Sequence, residues 1–253
     1  MTKSKTSTTA PPRKIPINGG VAKRKRRNKM PILRSLAITA PSAGGSIISR
    51  TNGIPAISQR GVVTRVCNTE LLFSPFLGAL GAFVFNKSSL IPANFTWLNG
   101  IATNFSKHRW VRVWFIYVPV VPTTTAGRFA MAFSYDIGDA DATSVQEIQM
   151  TANSVTTPVW GGFEGSCLLH DTARRPDQVP GAVVVQVDTN RQDKLWYKYI
   201  NLTDYGTIGL DDRNQYGPGQ LWMGSSGGVA GATGDVFVSY EIDLIEPIPG
   251  ARN

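Results

Sequence analysis

The chain has 253 residues, 26 basic against 17 acidic side chains, two histidines and two cysteines. It has no apolar run long enough to cross a bilayer as a helix, and its N-terminus lacks the apolar core of a secretory signal, so a protein made in the cytosol and without a membrane partner is expected. Cys67 and Cys167 stand a hundred residues apart without CxxC or Cys/His ligand spacing, which argues against a disulfide framework or a zinc site and for buried thiols.

Charge divides the chain sharply. Residues 1–69 hold fourteen cations and no anion, the first carboxylate being Glu70, whereas the remaining 184 residues hold 12 basic and 17 acidic side chains. A polycationic segment is thus joined to a mildly acidic body. Residues 1–60 are rich in Ser, Thr, Pro, Gly, Lys and Arg and poor in aromatics, a composition that buries too little apolar surface to offset chain entropy, so a disordered arm is expected. Within it Lys23, Arg24, Lys25, Arg26, Arg27 and Lys29 put six cations in seven positions. Such a density repels itself without a polyanion, and nucleic acid is the partner that fits; nuclear import, an acidic membrane surface and a solubilising tail are the blander readings. No aromatic residue interleaves these cations, so neither base stacking nor sequence readout is expected of the run.

Next comes a Gly/Pro-rich hinge, about residues 36–52, that includes Ala40, Pro41, Ser42 and Ala43. It reads either as a linker or as a strand that pairs only in an assembly. From residue 61 the pattern becomes that of strands: Val62–Phe73, Gly81–Phe85, the long β-branched and aromatic run Arg109–Val121, Gly127–Tyr135, Ser166–Leu169, Ala182–Val187, Leu195–Tyr199, Gly219–Met223 and Val236–Leu244. The last shows strict alternation, with Val236, Val238, Tyr240, Ile242 and Leu244 on one face and Phe237 the one apolar exception on the other. Helical spacing is confined to Phe95–Ser106 and Ser144–Thr151, and Gly224–Gly234 reads as a flexible loop. Many strands, glycine- and proline-rich turns and no alternating βα pattern predict an all-β sandwich over residues 61–253.

Catalytic patterns are thin. There is no GxSxG elbow and no phosphate-cradling glycine loop; His108, in a Lys-His-Arg run, suits a solvated or structural role, and His170 beside Asp171 would point away from it on a strand. One constellation carries chemistry, the turn holding Asp136, Asp139 and Asp141. Crowded carboxylates suit Ca²⁺ and, without a cation, raise one another's pKa; an acidic solvated turn is the competing reading, and a metal shell here needs oxygen atoms from elsewhere, such as a second subunit.

The sequence resembles the coat proteins of sobemoviruses, small icosahedral plant RNA viruses. The resemblance rests on KRKRRNK, the hinge APSAGG, TWLNGIATNFSKHRW, VRVWFIYVPVVPTTTAGRFAMAFSYDIGD, KLWYKY and the terminal IEPIPGARN, with Trp97 to Asp139 the most specific stretch. It implies an eight-stranded jelly roll that builds a T=3 icosahedral capsid as a homo-oligomer, with the basic run on single-stranded viral RNA inside. Ala40, Pro41, Ser42 and Ala43 match the β-annulus segment. Asp136 and Asp139 match the calcium-binding DxxD turn, Tyr197 the residue that offers a backbone carbonyl, and Asn253 one of two terminal asparagine ligands, Arg252 standing in place of the other. The implied location is the virion, with host cytoplasm before assembly and nuclear import in addition. A cellular calcium-binding β-sandwich of RNA-binding or lectin-like type is the alternative. A metal-dependent hydrolase using the three aspartates lacks a general base.

Overall fold

A computed structural model describes residues 46–51, 62–162, 182–228 and 230–248. Ten strands run in chain order: β1 Ser46–Thr51, β2 Val62–Gly78, β3 Val84–Ser89, β4 Phe105–Pro119, β5 Arg128–Ser134, β6 Val155–Pro158, β7 Val183–Gln186, β8 Tyr197–Lys198, β9 Gln220–Ser226 and β10 Gly231–Pro247. They form two antiparallel sheets, one of six strands in the order β1-β2-β10-β4-β7 with β8 also on β4, the other of four in the order β3-β9-β5-β6. Without β1 and β8 this is the eight-stranded jelly roll, two facing sheets in which β10, last in sequence, is inserted between β2 and β4.

The predicted alternation of β10 is what sets the core. Val236, Val238, Tyr240, Ile242 and Leu244 are all buried and face Phe129, Met131 and Phe133 of β5 and Leu221 and Met223 of β9. Aromatic rings bridge the sheets: Tyr117 stacks on Phe129 at 4.0 Å between centroids, Phe76 meets the same ring edge-on at 5.1 Å, and Phe115 lies over Phe133 at 6.1 Å. Phe237, the exception, is buried on the opposite face beside Ile116, so that face too carries an apolar patch. β4 changes phase midway. Glu241 pairs with Arg112 but Ile242 pairs with Trp110, and the extra residue, Val111, forms a bulge that turns Trp110 and His108 inward below it and Val113, Phe115 and Tyr117 inward above it.

Helices cover what the sheets leave open. α1 (Thr96–Ala102) is shorter than its apolar spacing predicts, because Phe105 already pairs with Pro247 at the start of β4. Its N-terminus has no cap of its own; instead Glu70, reaching from β2, accepts the backbone N–H of Trp97 at 2.8 Å and of Leu98 at 3.2 Å, and also the hydroxyl of Tyr240. α2 (Val145–Met150) is capped by Ser144, whose Oγ accepts the Glu147 N–H at 3.3 Å, and packs Val145 and Ile148 over Ala130, Ala132 and Trp222. This is why β5 is apolar on both faces. Gly224 is part of the same contact, since a Cβ there would lie 2.6 Å from Ile148 Cδ1. Two further helices, α3 (Leu202–Thr207) and α4 (Leu210–Arg213), lie between β8 and β9.

Several expectations need correction. Gly224–Gly234 is not one loop: its two ends belong to β9 and β10. β6 was not predicted, being four residues long and ending on Pro158. The strand expected to pair only in an assembly, β1, pairs antiparallel with the chain's own β2. The predicted strand Ser166–Leu169 lies outside the described residues, as do Ala40, Pro41, Ser42 and Ala43 and the run Lys23, Arg24, Lys25, Arg26, Arg27 and Lys29. His108 proves structural: it is 1% exposed between Trp110 and Tyr197, stacked on the latter at 5.9 Å, and burial pushes its pKa down to about 3.

Two stability predictions follow from these buried polar groups. Glu70→Ala leaves two helix N–H groups and a phenol unpaired, so chemical denaturation of unassembled subunits should show a loss of roughly 3 kcal/mol or more, against about 1 kcal/mol for Tyr240→Phe. His108 has a folded pKa below its unfolded one, so the neutral ring's contribution is complete above about pH 6.5 and declines as pH falls toward 3. Between pH 7 and pH 5 the natural chain should therefore lose about 2 kcal/mol more stability than a His108→Phe variant. Parallel acid-stability curves would remove the histidine from the account.

Candidate functional site

The acidic turn follows directly from the end of β5. Ser134 closes the strand, Ile137 is buried as a plug, and Asp136 and Asp139 are exposed on either side of it. A distant segment fixes this turn. Asn214, just beyond α4, donates its amide to Asp136 Oδ1 at 2.8 Å and accepts the backbone N–H of Ile137 at 3.0 Å. Gly138 N–H donates to the same Asp136 oxygen at 2.8 Å, Gln220 Nε2 donates to the Asp136 carbonyl at 3.3 Å, and Ser134 Oγ donates to Asp139 Oδ2. The close approach of β9 needs a glycine: Gly219 has φ +153°, and a Cβ there would lie 2.1 Å from the Ser134 carbonyl oxygen.

Each aspartate therefore has one carboxylate oxygen engaged by the fold, while Asp136 Oδ2 and Asp139 Oδ1 accept no hydrogen bond among the described residues. The expected mutual elevation of pKa does not occur at Asp136. The Asn214 amide and the Gly138 N–H hold its pKa below the usual carboxylate value, so it stays anionic. Asp141 is not a third member of the cluster, because it pairs with Lys87 on β3.

Tyr197 lies on β8 with its ring buried against His108. Among the described residues it makes no hydrogen bond to either aspartate; its neighbour Lys198 donates its N–H to the Gln215 carbonyl at 3.2 Å, next to Asn214. Asn253 and Arg252 lie outside the described residues. Among the described residues no group of three His, Cys, Asp or Glu side chains is placed to hold a metal ion. A single chain thus supplies two hard anionic oxygens on a rigid turn, an incomplete shell for Ca²⁺. Sequence reasoning found the aspartates but missed the adjacent Ser134, and it missed Asn214 and Gln220, which carry no local signal and are brought in only by the fold.

The sequence and the fold match known proteins. Residues 35–250 match the family described as viral coat protein (S domain). The capsid protein of tobacco necrosis virus strain A is 39% identical over 218 residues, covering 85% of this chain and 77% of that protein; that of strain D is 36% identical over 218 residues, covering 85% and 80%. The solved structure of tobacco necrosis virus superposes with a TM-score of 0.69 at 38% identity, covering 74% of this chain and 97% of that one. Cocksfoot mottle virus, at 24% identity and a TM-score of 0.64 over 71% of this chain and 93% of that one, shares the fold. These relatives do not carry the narrower sobemovirus placement that the motifs suggested; their likeness is to tobacco necrosis virus. They are structural capsid proteins and not enzymes, which sets aside the hydrolase and lectin-like readings. The chain belongs to the viral coat protein (S domain) family and is the capsid protein of a small icosahedral plant virus, a homo-oligomeric component of the virion.

Proposed function

We propose that this coat protein builds a T=3 shell, packages single-stranded genomic RNA on its basic arm, and joins neighbouring subunits through Ca²⁺. The division is an arm and hinge over residues 1–60 and a shell domain over 61–253. The observation that carries this reading is the charge division: fourteen cations precede the first carboxylate, in a protein whose family encloses a genome. In the arm the run Lys23 to Lys29 neutralises phosphate, and the counterions it releases make binding favourable and steeply salt-dependent. Many subunits on one RNA turn weak pairwise contacts into a stable particle. The sobemovirus likeness is kept only for this shared plan of arm, hinge, sandwich and DxxD turn. Before assembly the subunit resides in host cytoplasm, with nuclear import as a further role of the basic run.

The half-site at Asp136 and Asp139 fits calcium on its chemistry. Its oxygens are hard and anionic, and the Asn214 and Ser134 contacts hold the turn in place before any ion arrives. The rest of the shell would come from a neighbour, with the Tyr197 carbonyl and Asn253 as its members. Arg252 replaces a neutral ligand by a cation there. Calcium would draw two subunits together, and its removal would leave facing carboxylates to repel.

Two experiments test these roles. Particles carrying Asp136→Asn with Asp139→Asn should sediment equally in chelator and in calcium, whereas natural particles swell in chelator; calcium-dependent swelling that survives both substitutions would take the turn out of the mechanism. Removal of residues 1–60 should abolish RNA packaging and, if the hinge sets curvature, give smaller or mixed particles by electron microscopy. RNA-filled shells of ordinary size from that truncation would contradict both roles of the arm.

A further inference from the structure

The outer face of the six-stranded sheet, opposite the core, carries a charge cluster centred on β10, β4 and β8. Asp243 is 1% exposed and is held by Arg65 at 2.6 Å and Arg109 at 2.7 Å; Glu241 pairs with Arg65 at 2.7 Å and with Arg112 at 3.4 Å, and Glu246 with Lys107 at 2.9 Å. Three carboxylates thus face five cations once Lys198 is included. Lys198 has no ion pair among the described residues, yet it lies directly opposite Lys107 in the β4–β8 register. Like charges facing one another across a strand pair are destabilising; Glu246 offsets Lys107 from the β10 side, Lys198 has no such partner among the described residues, and a further anion between the two lysines would remove the remaining cost.

Beside this pair the surface is shaped. The Arg109 guanidinium lies 4.9 Å from the ring centroid of the half-buried Trp196, so the cation is fixed from two sides, by Asp243 and by the ring. Next to it a recess of about 420 Å³ is lined by Arg109, Asn190, Gln192, Lys194 and Leu195. Gln192 donates its amide to the Trp110 carbonyl at 3.0 Å, and its Oε1 is buried with no partner among the described residues. Leu195 is 66% exposed at the rim. A recess of this size, lined by the apolar Leu195, by amides and by Lys194, whose ammonium also donates to the Asn214 carbonyl at 3.4 Å, suits a nucleoside whose flanking phosphates lie on the cations.

We infer that this face is a second, folded RNA contact: Lys107 and Lys198 clamp a phosphate of single-stranded RNA, Lys194 takes the next, and the recess beside Arg109 and Trp196 receives the intervening nucleoside. The inference rests on the reading that the shell encloses single-stranded RNA. It differs from the arm's role in that the contact is made by rigid strands, so RNA is held at one place on every subunit. The same sheet receives the chain from its basic segment through β1, four strand spacings or roughly 19 Å from β8.

Ultraviolet cross-linking of RNA-filled particles followed by peptide mass spectrometry tests it. RNA adducts are expected on the segment 194–198 as well as on the arm. Adducts on the arm alone overturn this inference and leave the packaging reading intact; adducts on neither overturn both. In full-length subunits titrated with a single-stranded oligoribonucleotide, Lys107→Gln with Lys198→Gln should flatten the log–log salt dependence by roughly 0.7 for the one phosphate they share. Trp196→Leu should weaken binding at fixed salt by roughly 5-fold or more. An unchanged slope, or variants that impair RNA-free association of subunits while RNA binding stays as it was, would assign the face to contacts between copies and sink the proposal.

Discussion

Everything in this fold depends on one strand being apolar on its inner face and paired along both edges. β10 occupies that position between β2 and β4, and through Val236, Val238, Tyr240, Ile242 and Leu244 it presents a continuous row to the opposing sheet. Because it is the last strand, both of its partners lie far back in the chain. That makes the sheet a long-range structure whose pairing is specified by burial: a slip of one residue would put Asp243 and Glu241 into the core. The charge on the outer face is therefore a register lock as well as a surface, since Arg65 and Arg109 meet Asp243 only when both neighbouring ladders are correct.

How legible this was from sequence varied with how local the cause was. Where a strand buries one face, as in β10, period two is plain, and all of the predicted strands from Val62–Phe73 to Val236–Leu244 that lie in the described residues have counterparts. Where a residue has two masters the pattern fails. β5 is apolar on both sides because α2 covers its back; α1 stops early because β10 claims Phe105; Gly224 is a strand residue, not loop, and the Ile148 and Phe83 side chains press on it there. Phase shifts are similarly invisible, for nothing in the composition of β4 marks Val111 as a bulge. The acidic turn could be found because its aspartates are neighbours in the chain. Its main support could not, since Asn214 lies 78 positions from Asp136; the cap of α1 was hidden in the same way, Glu70 lying 27 positions from the helix end.

The contrast between the two buried or anchored carboxylate clusters bears on function. On the sheet face, Asp243 meets two guanidinium groups within its own chain and is satisfied there. At the turn after β5, Asp136 and Asp139 are gripped on one oxygen each by neutral donors, which fix their positions without cancelling their charge. Holding an exposed anion rigid costs entropy and gains little for a monomer. It is intelligible if the compensating charge arrives from outside the chain, which is the condition for a contact that responds to an ion rather than forming permanently.

Under the proposed reading, cations fixed on paired strands and cations in a self-repelling run would handle a polyanion differently. A run such as Lys23 to Lys29, which has no aromatic residue with which to read bases, would concentrate RNA through its charge without regard to sequence. It cannot determine where the RNA lies. Cations on paired strands can, because their spacing is set by the ladder: Lys107 and Lys198 are held opposite one another by the backbone whether or not an anion is present. A shell that repeats such a pair at every subunit would impose its own symmetry on the nucleic acid nearest to it. The basic run would then collect the genome and the sheet would order its outermost layer, a separation of tasks that follows from the ladder fixing one set of cations and not from the number of charges.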